Sequence, residues 1–128
     1  MPIKPQKYRE MTEYPEKKRP IRIYLACPYS HPEQAVIEQR VETCNMVAAR
    51  LMEQGFIVFS PVSHSHPISI HAKVDPCNHD FWLNQDLPFL EFCDELCILM
   101  LDGWEQSKGI KLEIERAQEL KKYTWFIA

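Results

Sequence analysis

The chain has 128 residues, of which 45% are hydrophobic, and a formal net charge of −3. This length provides for one domain with a single core, and no apolar run approaches the ~20 residues that a membrane-spanning helix needs. A weakly acidic protein has no general attraction for nucleic acid or for an anionic membrane. Composition therefore predicts a globular domain that binds neither of them.

Residues 1–20 are polar and charged, and they lack the apolar stretch of a secretory signal. They are interpreted as a flexible N-terminal arm that precedes a domain over residues 21–128, and a cytoplasmic protein is expected. Cys44, Cys93 and Cys97 stand in apolar surroundings. They are predicted to be core thiols of a reduced protein rather than disulfide partners.

Strand and helix patterns alternate along the domain. Strands are predicted at 21–26, 56–59, 96–101 and 123–127, and helices at 33–54, 79–93 and 109–122. Gly55 ends the first helix, and Pro88 must kink or restart the second one. The segment 62–78, rich in Ser, His and Pro, is predicted to be a loop.

This alternation predicts a three-layer α/β domain, Rossmann-like or flavodoxin-like, with a four-stranded, mainly parallel sheet. Ligands of such sheets bind beyond the carboxyl ends of the strands. The segments 26–31, 60–78 and 102–109 are expected to meet at that edge.

Glu113 stands in an unusual position on the last helix. At ~100° per residue, it shares the apolar stripe of Ile110 and Ala117, whereas Glu115 and Glu119 point away from it. A carboxylate on a buried face is costly unless it is paired or used. Glu113 is therefore a candidate functional residue, and the alternative is a rim position paired with a lysine or a backbone amide.

Asp86 repeats this anomaly on the preceding helix, where it shares a face with Trp82, Phe89 and Cys93. Two interpretations are open: a functional acid, or the N-cap of a helix that restarts around Pro88.

Ser107-Lys108-Gly109 precedes the last helix and follows a strand. Exposed amides and the positive end of a helix suit an anion such as a phosphate, although a serine at this position is also a routine cap.

Four histidines and one cysteine lie close together in the sequence between residues 64 and 79. The set is His64, His66, His71, Cys77 and His79. Their spacing matches no standard zinc pattern. Three interpretations remain: the residues line a substrate pocket, they bind a metal, or they are ordinary loop residues. A thiol catalyst made of Cys27 and a loop histidine has no local signature.

Three runs together resemble the nucleoside 2-deoxyribosyltransferase superfamily, which includes deoxynucleoside 5′-monophosphate N-hydrolases. They are Ile23-Tyr24-Leu25-Ala26-Cys27-Pro28-Tyr29, Asn84-Gln85-Asp86-Leu87 and Ser107-x-Gly109-x-x-x-Glu113-x-x-x-Ala117. The likeness covers 21–128. It is greatest to a bacterial and phage branch catalogued as a domain of unknown function, through YLACPYS, SPVSHSHP and GWE-x-S-x-G-x-x-x-E.

The resemblance implies catalytic roles for three residues: Glu113 as nucleophile, Asp86 as the acid that protonates the base, and Tyr24 as the residue that orients Glu113. Phe59, Trp82 or Trp104 would stack on the base. Cys27 departs from the family, which usually has glycine there. The residues expected to bind substrate are Cys27, Pro28, Tyr29, Ser63, His64, His66, Trp82, Trp104, Ser107 and Gly109.

The implied activity is cleavage of the N-glycosidic bond of a nucleoside 5′-monophosphate or nucleoside, by hydrolysis or by deoxyribosyl transfer, without a metal or organic cofactor. The resemblance also implies a homodimer or a larger homo-oligomer. A different class of protein, a nucleotide-binding sensor without turnover, would use the same pocket. A zinc hydrolase built on the histidine segment is the third alternative.

Overall fold

The computed structural model describes Glu13–Tyr14 and residues 19–128, so most of the predicted N-terminal arm lies outside the described residues. The strands are β1 (Glu13–Tyr14), β2 (Arg19–Pro20), β3 (Arg22–Ala26), β4 (Ile57–Phe59), β5 (Glu95–Leu99) and β6 (Tyr123–Ile127). The helices are α1 (Gln34–Glu53), α2 (Pro61–Ser69), α3 (His79–Asp86), α4 (Phe89–Phe92) and α5 (Lys108–Glu119), with a 3₁₀ turn at Trp104–Gln106.

The main sheet has the strand order β4-β3-β5-β6, and all its neighbouring strands are parallel. β1 and β2 form a separate antiparallel pair. The chain reverses its direction of winding between β3 and β5, which pair in the register Tyr24 to Leu96. The predicted three-layer α/β fold is confirmed, and this switch point places the ligand-binding edge at the ends of β3 and β5.

Alternating residues of the strands build a core on each face of the sheet. Ile23 and Leu25 of β3 pack with α1, whereas Tyr24 and Ala26 face the side of α4 and α5. β5 is buried along its whole length, as its unbroken apolar run predicts. Cys44, Cys93 and Cys97 are buried free thiols, in agreement with their predicted core positions.

The predicted loop over 62–78 is wrong for its first half, which forms α2. Ser60 accepts a hydrogen bond from the Ser63 amide at 3.3 Å, and Pro61 occupies the first helical position. Both are helix-start signals. The helix buries one narrow face, Pro61, Ser65 and Ser69, which carries no apolar periodicity. The helix is therefore stabilised by packing against α1, and not by an amphipathic sequence pattern of its own.

The break at Pro88 is confirmed, because α3 ends at Asp86 and α4 begins at Phe89. Asp94, at the entry to β5, accepts hydrogen bonds from the Arg19 guanidinium at 2.7 Å and the Arg22 amide at 2.9 Å. Burial disfavours ionisation of Asp94, but these bonds outweigh it and hold its pKa well below the usual range. In the part of the chain that the structure describes, no helix is long and apolar enough to cross a membrane.

Candidate functional site

An open cavity lies at the carboxyl edge of the sheet, with about 650 Å³ of empty space that includes its opening to solvent. The segments after β3, β4 and β5 line it, together with α3, as expected for a doubly wound sheet. Its polar and charged lining residues are Tyr29, Ser30, Ser65, His66, Ser69, Asn78, His79, Asp86, Ser107 and Glu113.

Glu113 reaches this cavity from the buried face of α5. It is 6% exposed, and its Oε2 accepts a hydrogen bond of 2.6 Å from the hydroxyl of Tyr24, which is fully buried on β3. Burial raises the pKa of Glu113 to about 8, although the Tyr24 bond favours ionisation, and the nearby charge of Asp86 raises it further. The helical periodicity therefore located this carboxylate correctly, and a rim position is excluded.

Asp86 is the last residue of α3 and is also buried. The hydroxyl of Ser65 on α2 lies 2.9 and 3.0 Å from its two carboxylate oxygens. Burial raises the pKa of Asp86 to about 6, against the opposing effects of Ser65 and His64. Asp86 does not cap α4, whose N-cap position is Pro88 and has no side-chain hydrogen bond.

Ser107 is the N-cap of α5, and its Oγ accepts a hydrogen bond from the Ile110 amide at 3.2 Å. Ser107 and Gly109 both line the cavity. The cap leaves the Ser107 hydroxyl proton available to a ligand, because a hydroxyl can accept and donate at the same time.

Tyr29 and His66 form a second polar group on the cavity wall. The Tyr29 hydroxyl lies 2.8 Å from Nδ1 of His66, and Nε2 of His66 lies 3.5 Å from a carboxylate oxygen of Glu38. Cys27 and Trp82 also line the cavity, and the Trp82 indole donates to the Asp75 carbonyl at 3.0 Å.

Four residues expected to bind substrate do not line this cavity: Pro28, Ser63, His64 and Trp104. Ser63 bonds Ser60 and Asn45 on the side of α1. His64 is exposed on α2, with its ring 5.6 Å from Phe59. Trp104 packs 5.6 Å from Phe126.

Phe59 is also outside the cavity lining. Its ring stacks on Phe89, with centroids 4.5 Å apart, so this aromatic surface is already covered within the fold.

Sequence reasoning missed Ser65 and Ser69, which reach the cavity from one face of α2 at an interval of four residues. The Ser60-Pro61 helix-start signal could have placed them there. It also missed Asn78, which caps α3 through the Phe81 amide at 3.1 Å. Between residues 19 and 128, no three His, Cys, Asp or Glu side chains are grouped to hold a metal ion.

The fold and the two buried carboxylates at the edge of the sheet define a doubly wound α/β protein with an acidic cavity. The chain belongs to the family described as a domain of unknown function, DUF1937, whose family model matches residues 21–126. No curated protein matches the chain.

The fold is similar to a solved structure of a 2-deoxyribosyltransferase from the psychrotolerant bacterium Bacillus psychrosaccharolyticus. The two share 24% identity with a TM-score of 0.54, over 82% of this chain and 70% of that chain. At this identity the likeness shows a common fold.

Proposed function

We propose that this protein cleaves the N-glycosidic bond of a nucleoside or nucleoside 5′-monophosphate through a covalent glycosyl–Glu113 ester. The observation that carries the proposal is the Glu113 carboxylate, buried on the cavity wall and held by Tyr24 at 2.6 Å, with Asp86 in the same cavity. The common fold with a 2-deoxyribosyltransferase supports the same class of chemistry.

In the first step the ionised Glu113 attacks C1′ while the bond from C1′ to the base nitrogen breaks. Tyr24 engages Oε2, and we assign the attack to Oε1. Asp86 in its protonated form gives its proton to the departing base. Positioned acids of this kind contribute roughly 10²–10⁴-fold in rate. The products are a glycosyl ester and the free base.

In the second step the Asp86 carboxylate takes a proton from water, and the water oxygen attacks C1′ as the ester bond breaks. Glu113 leaves as a carboxylate, and the sugar is released with its original configuration. In a transfer reaction, a second base would replace water as the attacking group. Ser65 supports both steps, because its hydroxyl donates a hydrogen bond shared between the two Asp86 carboxylate oxygens, at 2.9 and 3.0 Å.

The experiment is a chromatographic screen of nucleosides and nucleoside monophosphates for release of free base, followed by Glu113→Gln. Glutamine keeps the volume and can accept the Tyr24 bond, but it cannot form a glycosyl ester. We expect turnover to fall by orders of magnitude while the ligand still binds. Glu115→Gln is the matched control, since Glu115 is exposed on the same helix, and its rate should equal that of wild type.

Stability measurements separate this role from a structural one. The pKa of Glu113 is about 8 in the fold and near 4.5 in an unfolded chain, so burial makes the fold lose stability as pH rises from 4.5 through 8. Glu113→Gln removes this loss, and at pH 7 it should increase the free energy of unfolding by roughly 3 kcal/mol. Full activity in Glu113→Gln would end the proposal, and a nucleoside that persists intact with wild-type protein would indicate a binding module instead.

A further inference from the structure

Three side chains form a chain of polar contacts that the proposed glycosidic chemistry does not use. They are Tyr29 from the segment after β3, His66 from α2 and Glu38 from α1. The distances along the chain are 2.8 Å from the Tyr29 hydroxyl to Nδ1 of His66 and 3.5 Å from Nε2 to Glu38. Ser69 donates to the His66 carbonyl at 2.6 Å. Tyr29, His66 and Ser69 line the same cavity as Glu113 and Asp86.

We propose that Tyr29 is a specificity-determining residue that hydrogen-bonds an uncharged polar group of the substrate, and that His66 and Glu38 are positioning residues that set the direction of this hydrogen bond. The proposal rests on the proposed function for the class of substrate, and it adds how the substrate is selected.

The chemistry of imidazole gives Tyr29 two states. When His66 is neutral with its proton on Nε2, facing Glu38, Nδ1 accepts the Tyr29 proton and the Tyr29 oxygen is left to accept a bond from the ligand. When His66 is protonated, Nδ1 donates to the Tyr29 oxygen, and the Tyr29 proton turns toward the ligand.

The charges around Tyr29 favour an uncharged ligand group over a phosphate. Burial raises the pKa of Tyr29 against a hydrogen bond with Ser69 that lowers it, and Cys77, Glu38 and Asp75 raise it further, so the hydroxyl stays neutral and its surroundings are acidic. No lysine or arginine occurs among the described residues that line the cavity. Among these described lining residues, His66 and His79 are the groups that can become cationic, and His66 lies 3.5 Å from Glu38.

The test uses four nucleosides as probes: cytidine, uridine, adenosine and inosine. They form two pairs that exchange an amino donor for a carbonyl acceptor. Binding is measured by calorimetry in Glu113→Gln protein, so that the probes stay intact. We expect Tyr29→Phe to weaken at least one probe about tenfold, equivalent to one hydrogen bond of about 1.4 kcal/mol. Unchanged affinity for every bound probe would overturn the proposal and leave the glycosidic chemistry untouched. If none of the four binds, the corresponding 2′-deoxynucleosides and 5′-monophosphates are the probes, and failure of these as well would reject both proposals.

The positioning role has a separate readout in the pH dependence of binding from pH 5 to 8. Asp86 also titrates in this range, so the comparison is between proteins that all retain it. We expect a step in affinity at the pH where NMR shows His66 to titrate, and we expect His66→Gln to abolish it. Glu38→Gln should change the size of this step, whereas Glu42→Gln, exposed on the same helix, should not. A loss of affinity that is equal at every pH would show a merely structural role and reject the proposal.

Discussion

At the scale of single residues, two acids share one cavity but differ in their environments. Glu113 is on the buried face of α5 and contacts Tyr24, whereas Asp86 is the last residue of α3 and contacts Ser65. Burial raises the pKa of each, to about 8 and about 6. The pair therefore carries one proton across the neutral range, and the two groups titrate as a coupled unit. These pKa values place that proton mainly on Glu113, whereas the proposed reaction requires it on Asp86.

The first residue-scale expectation is a bell-shaped pH profile of kcat/KM with its maximum near pH 7. Below about pH 6 both carboxyls are protonated and no nucleophile exists, and above about pH 8 both are ionised and no acid remains for the leaving base. Between these limits, a proton that moves from Glu113 to Asp86 gives the reactive form. Steady-state kinetics from pH 4.5 to 9.5 would measure both limbs.

Asp86→Asn is the matching variant. This variant removes the general acid, so it should be slower than wild type. Its kcat/KM should rise with pH and should lack the alkaline decline. An alkaline decline that persists in Asp86→Asn would assign that limb to another group.

At the scale of elements, the N-terminus of α5 is placed to receive an anion. Ser107 caps the helix through Ile110 and also lines the cavity, and helix N-termini attract phosphates. If a 5′-phosphate binds there, Ser107→Ala should weaken monophosphate binding by about 1.5–3 kcal/mol and barely change nucleoside binding. Calorimetry with a nucleoside and its own monophosphate would measure this difference.

Ser107→Asp serves as the control for the cap. Aspartate still caps a helix, so stability should be kept while its charge repels the phosphate. Equal losses for nucleoside and monophosphate in Ser107→Ala would place the phosphate elsewhere.

A second element-scale feature ties two loops of the site together. Arg40 of α1 donates to the Ser30 carbonyl and to the Asp102 carbonyl, both at 2.9 Å. Gly103 has a φ of 90°, and a Cβ there would lie 2.9 Å from the Arg40 guanidinium. We expect Gly103→Ala to lower the free energy of unfolding by about 1–3 kcal/mol, since the positive φ strains a residue with a Cβ and the Arg40 guanidinium must shift away.

Urea denaturation would measure this loss, and Gly109→Ala is the comparison. Gly109 is within α5, and its added Cβ would meet only Ser107 Oγ at 3.9 Å. This variant should be neutral or stabilised by up to about 1 kcal/mol. Equal effects of the two changes would argue against strain at Gly103.

At the scale of the whole molecule, the homo-oligomer that the sequence resemblance implies stays a prediction. Leu112 lies on α5 outside the stripe that faces the sheet, and it is 40% exposed. We expect at least a dimer by light scattering, and Leu112→Glu should shift it toward monomer, because a buried charge at an interface is costly. A wild-type monomer at working concentration would contradict this expectation.

The sequence alone determined the fold class and the position of the nucleophile candidate. Strand and helix periods follow from backbone geometry, so the alternation of segments predicted the parallel sheet. The same period of the helix put Glu113 on the apolar face of α5, where the structure has it. Ile110 and Ala117, its neighbours on that face, carry the signal because burial of apolar side chains repeats with the helical turn.

Only the tertiary structure decided which distant side chains meet. Ser65 and Asp86 are 21 residues apart, Tyr24 and Glu113 are 89 apart, and no local period encodes either contact. α2 was missed because its buried face is Pro61, Ser65 and Ser69, which lacks the apolar repeat that identifies a helix from sequence. The Tyr29–His66–Glu38 chain depended on that same helix, since a loop would not have held His66 between its two partners. Hydrogen-bonded sites of this kind form where separate elements pack, and packing is a property of the whole fold.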